Sequence, residues 1–424
     1  PMAATRQVSN MKTVTKIFMA LDLLAIAGFL VLYLPFTREK IETALADNSA
    51  LCSILYMKET ESEAKETKVE LIDAETLASL KCSDVQETRI TMIMTGDALI
   101  HNSVYNSHKT STGYDFTDIF DYVKPIVMPY DLAYYNQETI LGGTELGLSN
   151  YPQFNSPQEV GDAFVDAGFN LVSLANNHTL DGRYRYGNKA LINSRAYWDA
   201  WYEKEGIIAT GSWTSWEERD RIIIGEVKGV TYAMLSYTTV YNMLYPPKGQ
   251  EYLTNFYSEE KAKADVEAYR DKVDLLIVAM HWGVDYILTP NASEKKIAQY
   301  LSSLGVDIVI GNHGHYLQPI DMVGDTLVLY GLGNFVSAQN EDHHPYCLTG
   351  ALASVDIIKS ETDGEVKISF ENVRAQLLYT QKNNKFKVVP YSQLKTRTSR
   401  NNAAMYEKFK KVLTELWDGV EVIE

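Results

Sequence analysis

Four stretches of the chain run apolar for the length of a strand and then end abruptly in polar side chains. They are "RITMIMTGD" (89–97), "FNLVSLANNH" (169–178), "VDLLIVAMHWG" (273–283) and "VDIVIGNHGH" (306–315). Unbroken rather than alternating apolar runs predict central strands covered on both faces. Helical patterns lie between them. "SPQEVGDAFVDAG" opens on Ser-Pro and stops at Gly; "SEEKAKADVEAYRDK" and "SEKKIAQYLSSLG" each open on Ser, the first followed by acidic residues that suit a helix start. Strands alternating with helices predict a layered α/β fold. Farther on, "DTLVLYGLGNFVS" is strand-like with a polar end, residues 350–375 predict two antiparallel strands joined by a Gly-containing turn, and residues 403–418 predict an amphipathic helix.

The N-terminal pattern is different. Residues 17–36, "IFMALDLLAIAGFLVLYLPF", have the length of one bilayer crossing, with Asp22 as the one interruption. Arg6, Lys12 and Lys16 precede the run, which keeps that end in the cytoplasm. A cleaved leader is the alternative, but its small-residue site, "ALA" at 44–46, lies well beyond the apolar run, so an uncleaved anchor is expected. Met11-Lys12 reads as a start, with residues 1–10 a tag or an upstream extension. Residues 58–87 hold nine acidic side chains against four lysines and cannot bury enough apolar surface to fold alone. The expected plan is a cytoplasmic tail (1–16), a transmembrane anchor (17–36), an acidic linker (37–88), a main domain (89–375) and a C-terminal extension with the amphipathic helix (376–424).

Charge narrows the partners. A formal net charge of −16 excludes general nucleic-acid binding, which needs a basic face. It also repels a polyanion at long range, so an acidic ligand must be held by local charges or by a metal. Three widely spaced cysteines, Cys52, Cys82 and Cys347, supply neither a disulfide framework nor a thiolate metal site.

The chemistry is concentrated at the strand ends. Asp97, His178, His281, His313 and His315 each fall at the C-terminal end of a predicted strand, the edge along which open α/β sheets bind ligands. They are read as one site. Imidazole, carboxylate and amide donors without thiolates suit zinc, manganese, iron or calcium. A carboxylate can bridge two such ions, and Glu138 in "YYNQET" is the candidate for that role. His108, in the polar stretch "NSHKTSTG", is expected to be solvated, and His343 and His344 lie in a loop, "NEDHHPY".

Taken together, "TGD" (95–97), "NQET" (136–139), "SLANNHTLD" (173–181), "MHWG" (280–283), "GNHGHYLQPI" (311–320) and "LGNFVS" (332–337) resemble the motif set of the CapA family, the poly-γ-glutamate capsule synthesis proteins of the calcineurin-like metallophosphoesterase superfamily. The resemblance spans about residues 89–340. It implies a four-layered α/β/β/α sandwich and one or two divalent metal ions. By motif, Asp97 resembles a first-strand ligand, Glu138 stands where a bridging Asp is usual, and Asn177, His281, His313 and His315 resemble further ligands. His178 resembles the histidine near the leaving group, able to act as general acid. An Asp-x-His motif would need histidine at 99, where this chain has Leu99; His101 is the expected substitute. Asn176, Gln318 and Asn334, amides within the same motifs, are expected to contact substrate.

The resemblance also implies a bacterial envelope location; with the apolar run 17–36, the expectation is a single-pass protein of the cytoplasmic membrane with its C-terminal domain outside. Its expected partners are an anionic polymer such as poly-γ-glutamate, or a phosphoester, and other capsule-synthesis subunits. Three functions follow: a metal-dependent hydrolase or transferase for capsule polymer, a non-catalytic metal-containing scaffold subunit, or a generic ectophosphatase.

Overall fold

The predicted run "RITMIMTGD" forms most of β1 (Gln86–Ala98), the strand on which the larger of two sheets is built. The computed structural model describes residues 86–362, 364–394 and 402–423; the expected tail, anchor and most of the linker lie outside them. Among the described residues no helix is long and apolar enough to cross a membrane.

On one side β1 pairs in parallel with β2 (Leu132–Asn136), followed by β3 (Leu171–Ser173) and β4 (Ile208–Thr210), all parallel. On the other it pairs antiparallel with β12 (Thr349–Thr362), and the ladder continues through β13 (Glu365–Lys382) and β14 (Phe386–Pro390). The second sheet runs β5 (Gly225–Val227), β6 (Val230–Thr238), β7 (Leu275–Trp282), β8 (Ile308–His313), β10 (Thr326–Leu329) and β9 (Ile320–Val323), with β6, β7, β8 and β10 parallel. Short β11 (Asn334–Val336) joins the first sheet beside the end of β1, and β15 (Glu421–Ile423) pairs with β13.

Alternation along the strands shows the layering. On β1, Met92 and Met94 belong to one buried cluster and Ile93 to another. On β7, Ile277 joins the first cluster while Leu276 and Val278 join a third. The shared cluster joins Met92, Met94, Leu132 and Tyr134 to Met234, Ile277, Ile308 and Ile310, so the two sheets pack face to face. Outside the first sheet lie helices α1 (Glu159–Asp166) and α2 (Lys189–Glu205), through Phe164 and Trp198. Outside the second lie α3 (Glu259–Tyr269) and α4 (Ala292–Ser303), through Val266, Ile297 and Leu301. The order is helix, sheet, sheet, helix. Each fully buried aliphatic side chain in these layers contributes about 1.5–3 kcal/mol relative to exposure.

Three sequence expectations shift. The helix expected to open at Ser293 is capped two residues earlier, by Asn291, whose side chain accepts from the Ser293 and Glu294 amides while Glu294 returns a bond to the Asn291 amide. The strand β13 runs straight through residue 375, and α5 (Asn402–Leu413) seats Phe409 and Leu413 in the intersheet cluster, so the residues expected as an extension complete the same unit. His108, expected to be solvated, is 1% exposed. Its ring stacks on Phe116, Nδ1 lies 2.9 Å from the Val104 carbonyl oxygen, and Nε2 lies 3.2 Å from Asp118. The polarity of its neighbours in sequence says nothing about a ring that folds back under its own helix.

Candidate metal centre

Both sheets send the C-terminal ends of parallel strands to one place, and the candidate residues meet there. Asp97 lies one residue before the end of β1, His281 one before the end of β7, and His313 closes β8. Glu138 follows β2 by two residues, and Asn177 and His178 lie in the loop after β3. His313 and His315 both have positive φ, 98° and 55°. That backbone twist, costly for a residue with a Cβ, turns the alternating pair toward one cavity instead of opposite faces.

The tight end of β1 depends on a glycine. A Cβ at Gly96 would sit 1.8 Å from the carbonyl oxygen of Gly333, so no other residue permits this approach. The Asp97 amide donates to that same oxygen at 3.0 Å, and Asp97 pairs in register with Asn334.

Two overlapping groups of buried side chains could hold a metal ion: Glu138 with His281 and His313, and Asp97 with Glu138 and His315. Glu138 is common to both. Its Oε1 lies 3.9 Å from His281 Nε2, and its Oε2 lies 3.9 Å from His315 Nδ1. Glu138 is 0% exposed, and neither oxygen has a hydrogen-bond partner. Burial first, then the nearby Asp97, Asp285 and Asp181 carboxylates, holds it well above the usual carboxylate range. A buried carboxylate is ordinarily paired or coordinates a metal. The donors here therefore fit divalent cations, with Glu138 common to both groups.

The imidazoles are suited to the same task. Burial, reinforced by the other imidazoles, pushes His281 well below its ordinary pKa and brings His313 down to about 3, so both are neutral with a lone pair available at neutral pH. Burial pulls His315 down as well, but its contact with Asp97 outweighs that and leaves it raised. His281 Nε2 lies 2.9 Å from Asn177 Oδ1, and Asn136 Nδ2 donates to Asp97 Oδ1 at 2.8 Å.

His178 stands beside these groups. Its Nδ1 lies 2.6 Å from Asp181 Oδ2, its ring meets Phe154 edge-on, and Asn242 Nδ2 approaches its Nε2 at 3.4 Å. Asp181 also accepts from the Phe154 amide at 2.6 Å, which fixes the carboxylate and with it the ring. Asp181 is a residue that the sequence reading left without a role, though it sits three positions after His178. Asp285 is another: its Oδ1 lies 3.1 Å from His313 Nε2, leaving His313 Nδ1 as the buried nitrogen without a partner.

Other expected residues take different places. His101 belongs to neither group; its Nδ1 lies 3.3 Å from the Ala338 amide and 3.2 Å from the Leu99 carbonyl oxygen, and burial lowers its pKa to about 4. Asn176 spends its side chain inside the loop, accepting from the His178 amide and donating to the Gln137 carbonyl oxygen. Gln318 donates to the Ile287 carbonyl oxygen and is 2% exposed. Both side chains are thus hydrogen-bonded within the protein. Asn334 faces the site interior, with Oδ1 3.0 Å from His315 Nδ1. His344 stacks on Tyr286, ring centroids 3.5 Å apart, and Tyr286 in turn lies beside His315.

Two curated relatives match part of this chain. The PGA biosynthesis protein CapA of Bacillus subtilis (strain 168) is 28% identical over 235 residues, which cover 52% of this chain and 57% of that protein. The capsule biosynthesis protein CapA of Bacillus anthracis is 25% identical over 272 residues, covering 60% and 61% respectively. The chain thus matches less than two thirds of either relative's length. Among solved structures, a 5′-nucleotidase from Candida albicans SC5314 is 14% identical, covering 76% of this chain and 57% of that one, at a TM-score of 0.36, a likeness too loose to bear on the chemistry. The model of the family described as bacterial capsule synthesis protein PGA_cap matches residues 91–339, from within β1 to the loop after β11. That span holds every residue of the two ligand groups and the His178–Asp181 pair, and the chain belongs to the bacterial capsule synthesis protein family PGA_cap.

Proposed function

We propose that this chain is a membrane-anchored, extracytoplasmic, metal-dependent hydrolase or transferase that serves the synthesis, export or anchoring of an anionic γ-linked polyglutamate or a related polymer. The observation that carries the metal-dependent part is Glu138, a buried carboxylate with both oxygens unpartnered and an imidazole facing each. One or two divalent ions, of manganese, zinc, iron or calcium, would be held by Asp97, Glu138, His281, His313 and His315, with Asn177 beside His281. Bound there, they supply Lewis acidity toward the oxygen of a scissile carbonyl or phosphoryl group.

The chain's own residues do the rest. Asp181 orients His178 by its 2.6 Å contact to Nδ1, which leaves Nε2 to carry a proton toward the group that departs. Asn242 Nδ2 approaches the same ring nitrogen at 3.4 Å. The relatives' names support the polymer, since both are described by capsule or PGA biosynthesis. The apolar run 17–36 supports the anchor, and alkaline extraction of membranes, which releases peripheral but not spanning proteins, checks it.

The test of catalysis is His178→Ala in a capsule-forming host that lacks its own copy. Loss of polymer with unchanged protein level and metal content is expected. Normal polymer from that variant would refute the catalytic reading and leave a scaffold subunit.

A further inference from the structure

We infer that Asn334 is a metal ligand, the fourth protein donor of the position formed by Asp97, Glu138 and His315. This rests on the metal reading above and completes it. His315 Nδ1 is surrounded by three oxygens: Asn334 Oδ1 at 3.0 Å, Asp97 Oδ2 at 3.3 Å and Glu138 Oε2 at 3.9 Å. One N–H can satisfy one of them. Three buried oxygens within 3.9 Å of one buried imidazole nitrogen are an arrangement that a cation resolves.

The orientation of Asn334 is not free. Its Nδ2 donates to Gln339 Oε1 at 2.8 Å and to the Cys347 carbonyl oxygen at 2.7 Å, which directs Oδ1 to the site. Its backbone is held by the register pairing of β11 with β1, which sets Asn334 directly opposite Asp97. Asn334 is 1% exposed, as buried as Asp97 beside it. The other position has a matching amide, Asn177 Oδ1, 2.9 Å from His281 Nε2. Each position then has two imidazole or carboxylate donors of its own, the shared Glu138 and one amide oxygen. Leu99, two residues after Asp97, offers no donor, and His101 Nδ1 is taken up by the Ala338 amide and the Leu99 carbonyl oxygen, whereas Asn334 places an oxygen directly beside Asp97 and His315.

The experiment uses the full-length protein in detergent, stripped with chelator, reloaded with manganese(II) chloride and measured by inductively coupled plasma mass spectrometry. The wild type is expected to hold two equivalents. Asn334→Ala is expected to hold one, with the second weakened at least about tenfold, since even outer-shell partners of metal ligands are worth 10–100-fold in affinity. Two equivalents at unchanged affinity in the variant would overturn the inference. No manganese in the wild type would instead overturn the metal reading on which it depends. An anomalous difference map of manganese-loaded wild-type crystals decides the matter without any variant. An ion about 2.0–2.6 Å from Asn334 Oδ1 supports direct ligation, and one beyond about 3.5 Å reduces Asn334 to holding His315 in place.

Discussion

Replacing Glu138 by Gln should stabilise the metal-free protein while abolishing its stabilisation by divalent cations. The amide has the shape of the carboxyl but no charge. Both Glu138 oxygens are buried without a partner; a neutral unsatisfied group there costs about 1–3 kcal/mol, which the amide still bears, and the charged carboxylate costs more, which the amide does not. A gain of ~2 kcal/mol is therefore expected on substitution when no metal is present. With about 2.1 cal/mol/K of unfolding entropy per residue, a unit of roughly 340 residues loses stability at ~0.7 kcal/mol per degree, so Tm should rise by ~3 °C. The effect has a sign in pH. Glu138 is held above its ordinary value, so the wild type keeps this part of its stability below about pH 4.3 and loses it as pH rises toward the raised value. The advantage of Glu138→Gln should accordingly widen between pH 5 and 8. Metal reverses the order, because ligand at 100 times Kd adds ~2.7 kcal/mol per site, or ~4 °C, to a protein that can bind it. Thermal unfolding followed by tryptophan fluorescence, in chelator and in manganese, measures all of this. A variant less stable than wild type in chelator across that pH range, or one that gains as much from manganese, would refute the placement of Glu138 as a bridging ligand.

Three further outcomes are expected. Gly96→Ala puts a Cβ within 1.8 Å of a backbone oxygen that cannot yield without moving β11, so it should cost about 3 kcal/mol in urea denaturation and reduce bound metal with it. Asp181→Asn should lower polymer formation about 10²–10⁴-fold through loss of an oriented His178, with bound metal unchanged; a parallel loss of metal would show that Asp181 acts on the ligands instead. Asp285→Ala should weaken metal binding about 10–100-fold in a chelator competition, because His313 then loses the contact that fixes its ring, and no change in affinity would remove Asp285 from that role.

The strand ends that carry Asp97, His281, His313 and His315 are legible because two physical signals coincide. An apolar run without alternation marks a strand buried on both faces, and imidazole, the least abundant of the candidate donors at eight residues in 424, is conspicuous at its end. The layered α/β class follows from the same runs, whereas the four-layer order comes only with the family resemblance. Contacts made across the sheet are not legible. Asp285 reaches His313 over 28 positions, and nothing local distinguishes it from other loop carboxylates. The strand β13 continues past residue 375 because β14 and β15 pair with it, a tertiary fact that no composition change announces.

The amides show where reading from sequence stops. Asn176, Gln318 and Asn334 look alike as motif residues, and their roles diverge through hydrogen bonds alone. Asn176 is consumed by its own loop, and Gln318 by the backbone at Ile287. Asn334 differs because its amide nitrogen has two acceptors behind it, which leaves its oxygen directed into the cavity beside Asp97 and His315. What decides the outcome is the parallel register of β11 on β1, permitted by Gly96, and through it a residue more than two hundred positions away occupies the corner that Leu99 leaves without a donor. A metal position missing from a motif can therefore be present in the fold, supplied by the strand that packs beside it.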